Sequence, residues 1–319
     1  METATNASAC DSSSVFIFSS LCILLFVIVN FMPVSLLAPF NTATATLAGL
    51  CISLLGTPAH VYGDILEVSG FRVRIVTECT SLYASILYGS FVFSYPAFFV
   101  VKASGAFSGI ILLSFLNVVR IAAVTLVGAR RPALFEVLHV YLGQVVMLLV
   151  VIALSLAWLY REDRENPLQL TVKAALWASL LFFPWLMVNK LYVAFIDGMV
   201  IRLHALFYPG YLLNTPRPFS IYNHTFAIPL FLSLIAASSN LTLRRRLVCS
   251  LAGVFGIMCW HGLFRVTHVV WTAHDVPGIE PFHEVIYLVG QYLLPFFLWL
   301  RFASPASSKV LSPAKSSIS

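Results

Sequence analysis

Apolar positions fall along this chain in long unbroken blocks rather than in alternation. Blocks near the roughly 20 residues needed to cross a bilayer occur near 15–34, 80–100, 106–127, 139–160, 173–195, 226–243, 247–266 and 283–301. About eight transmembrane helices are therefore expected. Ser35 to Gly56 has a helical pattern but is weakly polar, with Asn41, Thr42, Thr44 and Thr46 near its start. It reads either as a helix lying in the membrane interface or as a ninth span. Between His60 and Cys79 the period changes to two: Phe71, Val73 and Ile75 alternate with Arg72 and Arg74 after a break at Ser69–Gly70. That is the pattern of a short hairpin. The Asn166–Pro167 loop divides the chain, and the second part repeats the plan of the first: one span, an interfacial stretch, three spans. The expected fold is an all-α polytopic membrane protein in two similar halves, residues 1–165 and 166–319, with a short external hairpin and interfacial helices.

Composition agrees. Of 319 residues, 60% are hydrophobic and 10% charged, against about 25% charged in a soluble domain. A formal charge of +6 would point to nucleic acid in a soluble protein; here the basic residues orient the spans, and no nucleic-acid partner follows. With alternating spans, Lys102, Arg161, Arg164, Lys173, Arg244 to Arg246, Arg301, Lys309 and Lys315 share one side, while Arg72, Arg74, Arg130, Arg131, Arg202 and Arg217 face the other. The richer side is cytoplasmic, with both termini. The first block follows Asp11 without Lys or Arg and lacks a small-residue cleavage site, so it reads as an anchor rather than a removable signal.

Six cysteines form no CxxC pair, and no Cys/His cluster has zinc-ligand spacing. Cys22, Cys51, Cys249 and Cys259 lie in apolar runs, where cysteine behaves as a small hydrophobe. Cys79 differs, because Thr77, Glu78, Thr80 and Ser81 surround it at the mouth of a span. Span alternation brings Cys79, Arg120 and His139 to one membrane face. A thiol is mostly protonated at neutral pH, and a neighbouring cation raises its thiolate fraction. His139 can take and return a proton. Arg120 keeps its charge and suits a thiolate or a developing oxyanion, and Asn117, one turn earlier, can orient it.

The second half echoes this set. Arg120 follows Cys79 by 41 residues and precedes His139 by 19; Arg265 follows His224 by 41 and precedes His283 by 18. Tyr141–Leu142–Gly143–Gln144 is echoed by Tyr287–Leu288–Val289–Gly290–Gln291. A degenerate duplication without the thiol would leave His224, Arg265 and His283 to bind a carboxylate, a phosphate or a peptide, or to persist as relics. His261, His268 and His274 do not have the i, i+4 spacing of a helical metal site, so no metal is expected.

Glu78–Cys79–Thr80–Ser81, Asn117–Val118–Val119–Arg120 and His139 together resemble the exosortase/archaeosortase family of membrane transpeptidases, closest to the short exosortase H branch. The resemblance covers roughly 15–162. Family members usually follow the cysteine with a small, often glycine-containing segment, where this chain has Thr80–Ser81. Residues 166–301 look similar to the membrane protein that accompanies exosortase H, so the chain reads as a natural fusion. The resemblance implies a cofactor-free transpeptidase of the bacterial cytoplasmic membrane with its site facing the periplasm. Its partners would be exported proteins with a C-terminal sorting signal, an acceptor nucleophile on the outer face, and membrane lipids. Cys79 would form a thioester, His139 would shuttle protons and Arg120 would stabilise charge, with Glu78 and Asn117 in support.

Two other readings fit the pattern: a polytopic carrier or lipid-binding protein whose arginines hold an anionic headgroup, and an accessory protein that assists an enzyme. Against the carrier stand the parallel repeat and the absence, on this reading, of an acid deep in a span. Lys190 lies within or near the end of the fifth block.

Overall fold

The structure, a computed structural model, describes residues 12–159, 167–208, 225–239, 241–274, 276 and 278–303. Helices α1 (Ser12–Asn30) and α2 (Val34–Leu54) lead into strands β1 (Ala59–Tyr62), β2 (Ile65–Val68) and β3 (Phe71–Arg74) and a 3-10 turn at Thr77–Cys79. Then come α3 (Leu82–Ser94), α4 (Phe99–Arg130), α5 (Pro132–Val140), a π-helical turn (Tyr141–Val146) and α6 (Met147–Leu159). The second half holds α7 (Pro167–Phe207), α8 (Ala227–Ala237), α9 (Leu243–His274), α10 (Ile279–Leu288), a second π-helical turn (Val289–Leu293) and α11 (Leu294–Ala303).

Among the described residues, five stretches combine the length and hydropathy of a span: Val34–Leu54, Phe99–Arg130, Gln169–Phe207, Leu243–His274 and Ile279–Phe302. Four further apolar helices are shorter. The fold is all-α and polytopic, but its helices are far less uniform than the eight expected blocks. Block 80–100 shrinks to the 13 residues of α3, because Tyr95 is held extended ahead of Pro96. The blocks at 106–127 and 173–195 instead extend to 32 and 41 residues, about 48 and 61 Å at the usual rise. The segment at 35–56 is the continuous helix α2, with the length of a span. Large apolar side chains such as Phe98, Met187 and Leu251 face outward, as lipid-facing residues do.

The hairpin is a three-stranded antiparallel meander, one strand more than expected. Ala59 pairs with Val68, and Val68 with Phe71. The Ser69–Gly70 turn has positive φ at both central residues, 52° and 81°, the type I′ geometry that matches strand twist. Phe71 and Val73 are half-buried while Arg72 and Arg74 face out. Arg72 pairs with Glu67 at 2.7 Å and Arg74 with Asp64 at 2.8 Å. These exposed pairs fix register more than they stabilise.

Of three apolar clusters among the described residues, two surround the elements of the first half. Leu66, Val68 and Ile75 of the sheet region pack with Ala45, Ala48 and Ile52 of α2 and with Ile121 of α4 around Cys79. The larger core crosses the divide between the halves: Phe18 of α1 meets Phe91 of α3 and Phe296 of α11 edge-on, at 6.1 and 5.7 Å. The halves also share an order of elements. A 32-residue helix, a short helix, a π-helical turn and a closing helix occur in each, as α4 to α6 and as α9 to α11.

Candidate active site

Cys79 ends the 3-10 turn that carries the chain from β3 into α3, and it is buried. Its amide donates to the Val76 carbonyl at 2.8 Å and that of Thr80 donates to Thr77 at 3.1 Å. The Thr80 hydroxyl also donates to the Thr77 carbonyl at 2.7 Å and accepts from the Leu82 amide at 3.3 Å. Ser81 meets Ser114 of α4, hydroxyl to hydroxyl, at 2.9 Å. The Thr80–Ser81 pair thus ties the thiol's turn to the first residue of α3 and to α4.

The polar groups of α4 grip the same turn. Asn117 Nδ2 and Arg120 Nη2 each donate to the Cys79 carbonyl oxygen at 3.0 Å. Their i, i+3 spacing puts both on one helix face, and an oxygen with two lone pairs can accept both. Arg120 therefore bonds the backbone of the cysteine rather than its sulfur. Its Nε is buried with no partner among the described residues, leaving one charged donor unused. The guanidinium fits because Gly143, in the first π-helical turn, has no side chain: a Cβ there would lie 2.6 Å from Nη1.

Burial pushes the Cys79 thiol above its usual range. Arg120 and a backbone hydrogen bond at Val76 pull the other way and Glu78 adds to the rise, but burial prevails. Arg120 acts in the expected direction, but desolvation penalises the thiolate more than one cation repays it.

His139 is set by a file of rings. Phe71 of β3 meets Phe135 of α5 at 5.2 Å, and Phe135 stacks on His139 at 5.5 Å and 20°. Gly128 of α4 leaves the space, since a Cβ there would touch both phenylalanines at 2.6 to 2.8 Å. His139 lies within the field of Arg120. Among the described residues, it makes no hydrogen bond to Cys79. Glu78 is exposed at the mouth and interacts electrostatically with Glu284 of α10.

His224 lies outside the described residues. Arg265 is fully buried, its Nε and Nη2 both 2.7 Å from Asp197 Oδ1 and its Nη1 2.7 Å from His268 Nδ1. Asp197 sits inside α7 and is buried, which corrects the expectation that no acid lies deep in a span. The corresponding arginines thus differ: Arg120 rests on a neutral carbonyl, Arg265 on a carboxylate. His283 stacks on Phe264 at 4.4 Å and its Nδ1 meets the Thr267 hydroxyl at 3.0 Å. Among the described residues no three potential metal ligands cluster. His261 instead pairs with Tyr192, and His274 with His204, each at 2.8 Å.

Sequence reasoning did not single out Ser114 or Asp197. Asp197 had a signal, as an acid in an otherwise apolar run.

No curated protein and no solved structure matches the chain. Residues 11–156 match the family model of the transmembrane exosortases, a stretch that contains Glu78, Cys79, Asn117, Arg120 and His139. The apolar helices and this match together describe a multi-pass membrane protein, and residues 11–156 are similar to the transmembrane exosortase family.

Proposed function

We propose that the chain is a cysteine transpeptidase of the bacterial cytoplasmic membrane, acting at the outer face on exported proteins that end in a sorting signal of motif, transmembrane helix and basic tail. In the first step His139 takes the thiol proton and Cys79 Sγ attacks the scissile carbonyl. The C–N bond breaks, the proton passes to the leaving amine, and a thioester remains. In the second step an acceptor amine gives its proton to His139 and displaces the thiolate. The C–S bond breaks, a new amide forms, and the thiol is restored. Each step passes through an oxyanion, and a preorganised donor at that position is worth about 2.7–4 kcal/mol in related acyl transfers.

The observation that supports this reading best is the unused Nε–H of Arg120, a buried cationic donor fixed by its Nη2 bond to the carbonyl of the cysteine itself. The absence of a thiol–imidazole hydrogen bond among the described residues is compatible, since catalytic contacts often tighten only when substrate is bound. Residues 1–165 would form the catalytic part, and 166–319 a degenerate repeat in which Asp197 has neutralised the equivalent arginine.

The test is co-expression with an exported protein bearing such a signal from the same genome. Cys79→Ala and Cys79→Ser should leave the substrate full-length, while Cys249→Ala should process it. Normal processing by Cys79→Ala would sink the mechanism and leave the carrier or accessory reading. A genome without exported proteins of that kind would weigh against the substrate class.

A further inference from the structure

The sheet has a free edge that runs into the thiol's turn. Along an antiparallel strand, the N–H and C=O of alternate residues point to opposite sides. Val68 and Phe71 pair across the two-residue turn, the position at which a hairpin exchanges both hydrogen bonds. The Ile75 amide donates to the Asp64 carbonyl at 2.8 Å. Phe71, Val73 and Ile75 therefore face β2, while Arg72, Arg74 and Val76 turn their amides away from it. The sheet ends at β3. Among the described residues, those three amides and the Arg72 and Arg74 carbonyls have no hydrogen-bond partner. Val76 stays extended, at φ −94° and ψ 167°, and its carbonyl accepts from the Cys79 amide at 2.8 Å. The edge thus leads to the backbone of the nucleophile.

Edge strands are commonly blunted by charged side chains. Here the arginines lean the other way. Arg72 Nε reaches Glu67, its partner on β2, at 2.7 Å, and Arg74 Nε reaches Asp64, in the turn between β1 and β2, at 2.8 Å. Exposed pairs of this kind contribute little stability. Their effect is to draw both side chains towards β2 and leave the backbone edge bare. Groups on one edge repeat every two residues, so Arg72 to Val76 spans roughly 13 Å.

We propose that β3 is the docking edge for the extended segment of the exported protein next to its cleavage point, which pairs as a fourth strand and reaches Cys79 through Val76. The occupant follows from the chemistry of the edge. Alternating backbone donors and acceptors are matched by an extended polypeptide, whereas a helix has spent those groups internally. Alternate side chains of the added strand lie beside Arg72 and Arg74, and the others share the inner face with Phe71 and Val73. The inference rests on Cys79 acting on such a protein, and it adds where that protein's chain is held.

Two measurements test it, both with the full chain and an exported protein bearing a sorting signal from the same genome. In the first, Arg72→Pro removes an outward N–H and no bond of the sheet, a position where proline is tolerated. Processing should slow roughly tenfold, as for one hydrogen bond at the upper end of its range. Arg72→Ala keeps the N–H and should process faster than Arg72→Pro. Ala59→Pro places the same ring on the opposite strand of the sheet and should process like the parent. The second measurement needs no cleavage. The chain carries Cys79→Ala, with Cys10, Cys22, Cys51, Cys249 and Cys259 changed to alanine and Arg72→Cys as its sole cysteine. Single cysteines are walked through the stretch before the substrate's transmembrane helix, and disulfides are formed with copper phenanthroline. Opposed residues have Cβ atoms about 4.5–5.5 Å apart, so adducts should appear at every second position. Equal processing by Arg72→Pro and Arg72→Ala, or adducts at every position or at none, would overturn the docking edge. Disulfide dimers of the chain in place of adducts would overturn it in favour of a second copy. Processing by a Cys79→Ala chain defeats the transpeptidase reading instead, and the adduct pattern still reads the pairing by itself.

Discussion

Substituting Gly143 with alanine isolates the contribution of Arg120 without touching its charge. The added Cβ would stand 2.6 Å from Nη1, and ordinary contact begins at 3.4 Å, so the guanidinium must retreat by about 0.8 Å. Its Nη2 bond to the Cys79 carbonyl, 3.0 Å long, would stretch to roughly 3.8 Å, beyond hydrogen-bonding range. A bond involving a charged group is worth about 1.5–3 kcal/mol, and each 1.36 kcal/mol is tenfold in rate. Asn117 still holds the carbonyl, which favours the lower end. Turnover of a reconstituted sorting-signal substrate should therefore fall roughly tenfold. The melting temperature should fall only modestly, since the better helix propensity of alanine offsets part of the lost hydrogen bond. Turnover within twofold of wild type, with alanine at 143 verified, would show that the Arg120–Cys79 bond does not govern the reaction.

Arg120→Gln should raise the pH needed to alkylate Cys79, because burial already disfavours the thiolate and Arg120 is the principal group opposing it; an unchanged or lowered profile contradicts that balance. Asp197→Ala strands a buried guanidinium and should cost about 3–5 kcal/mol of stability, whereas Asp197→Ala with Arg265→Leu should recover much of it; additive losses in thermal unfolding would remove the coupling. Gly109 of α4 admits the ring of Tyr88 and Gly253 of α9 that of Phe231, so alanine at either should lower stability by about 1–3 kcal/mol through overpacking, read by melting in detergent. If either variant melts with the parent, the close packing of that glycine is not limiting.

Composition made the membrane class legible, and alternation made the sheet legible at Phe71 to Ile75. Helix lengths were not legible in the same way. Hydropathy cannot see that Tyr95 ahead of Pro96 halts α3, nor that α7 runs through Pro184, because both are settled by local backbone sterics. The first-half cluster was readable as residue types, since Cys79, Asn117 and Arg120 fall at a span mouth and one turn apart on a helix. Their mode of contact was not, because which oxygen an arginine takes depends on side-chain geometry. Asp197 was missed for a related reason: it meets Arg265 across the packed interface of distant helices, 68 residues away in the chain. Burial of Cys79 was invisible too, and it reverses the direction in which the thiol titrates.

The ring file from Phe71 through Phe135 to His139 couples two parts that differ in kind. The sheet is built on 4-residue strands whose arginines face out, whereas the imidazole lies on a helix within the field of Arg120. Close-packed groups pass a displacement on rather than absorb it, so a shift of β3 reaches the imidazole through Phe135. The rim of the sheet and the ring of α5 therefore move as one unit.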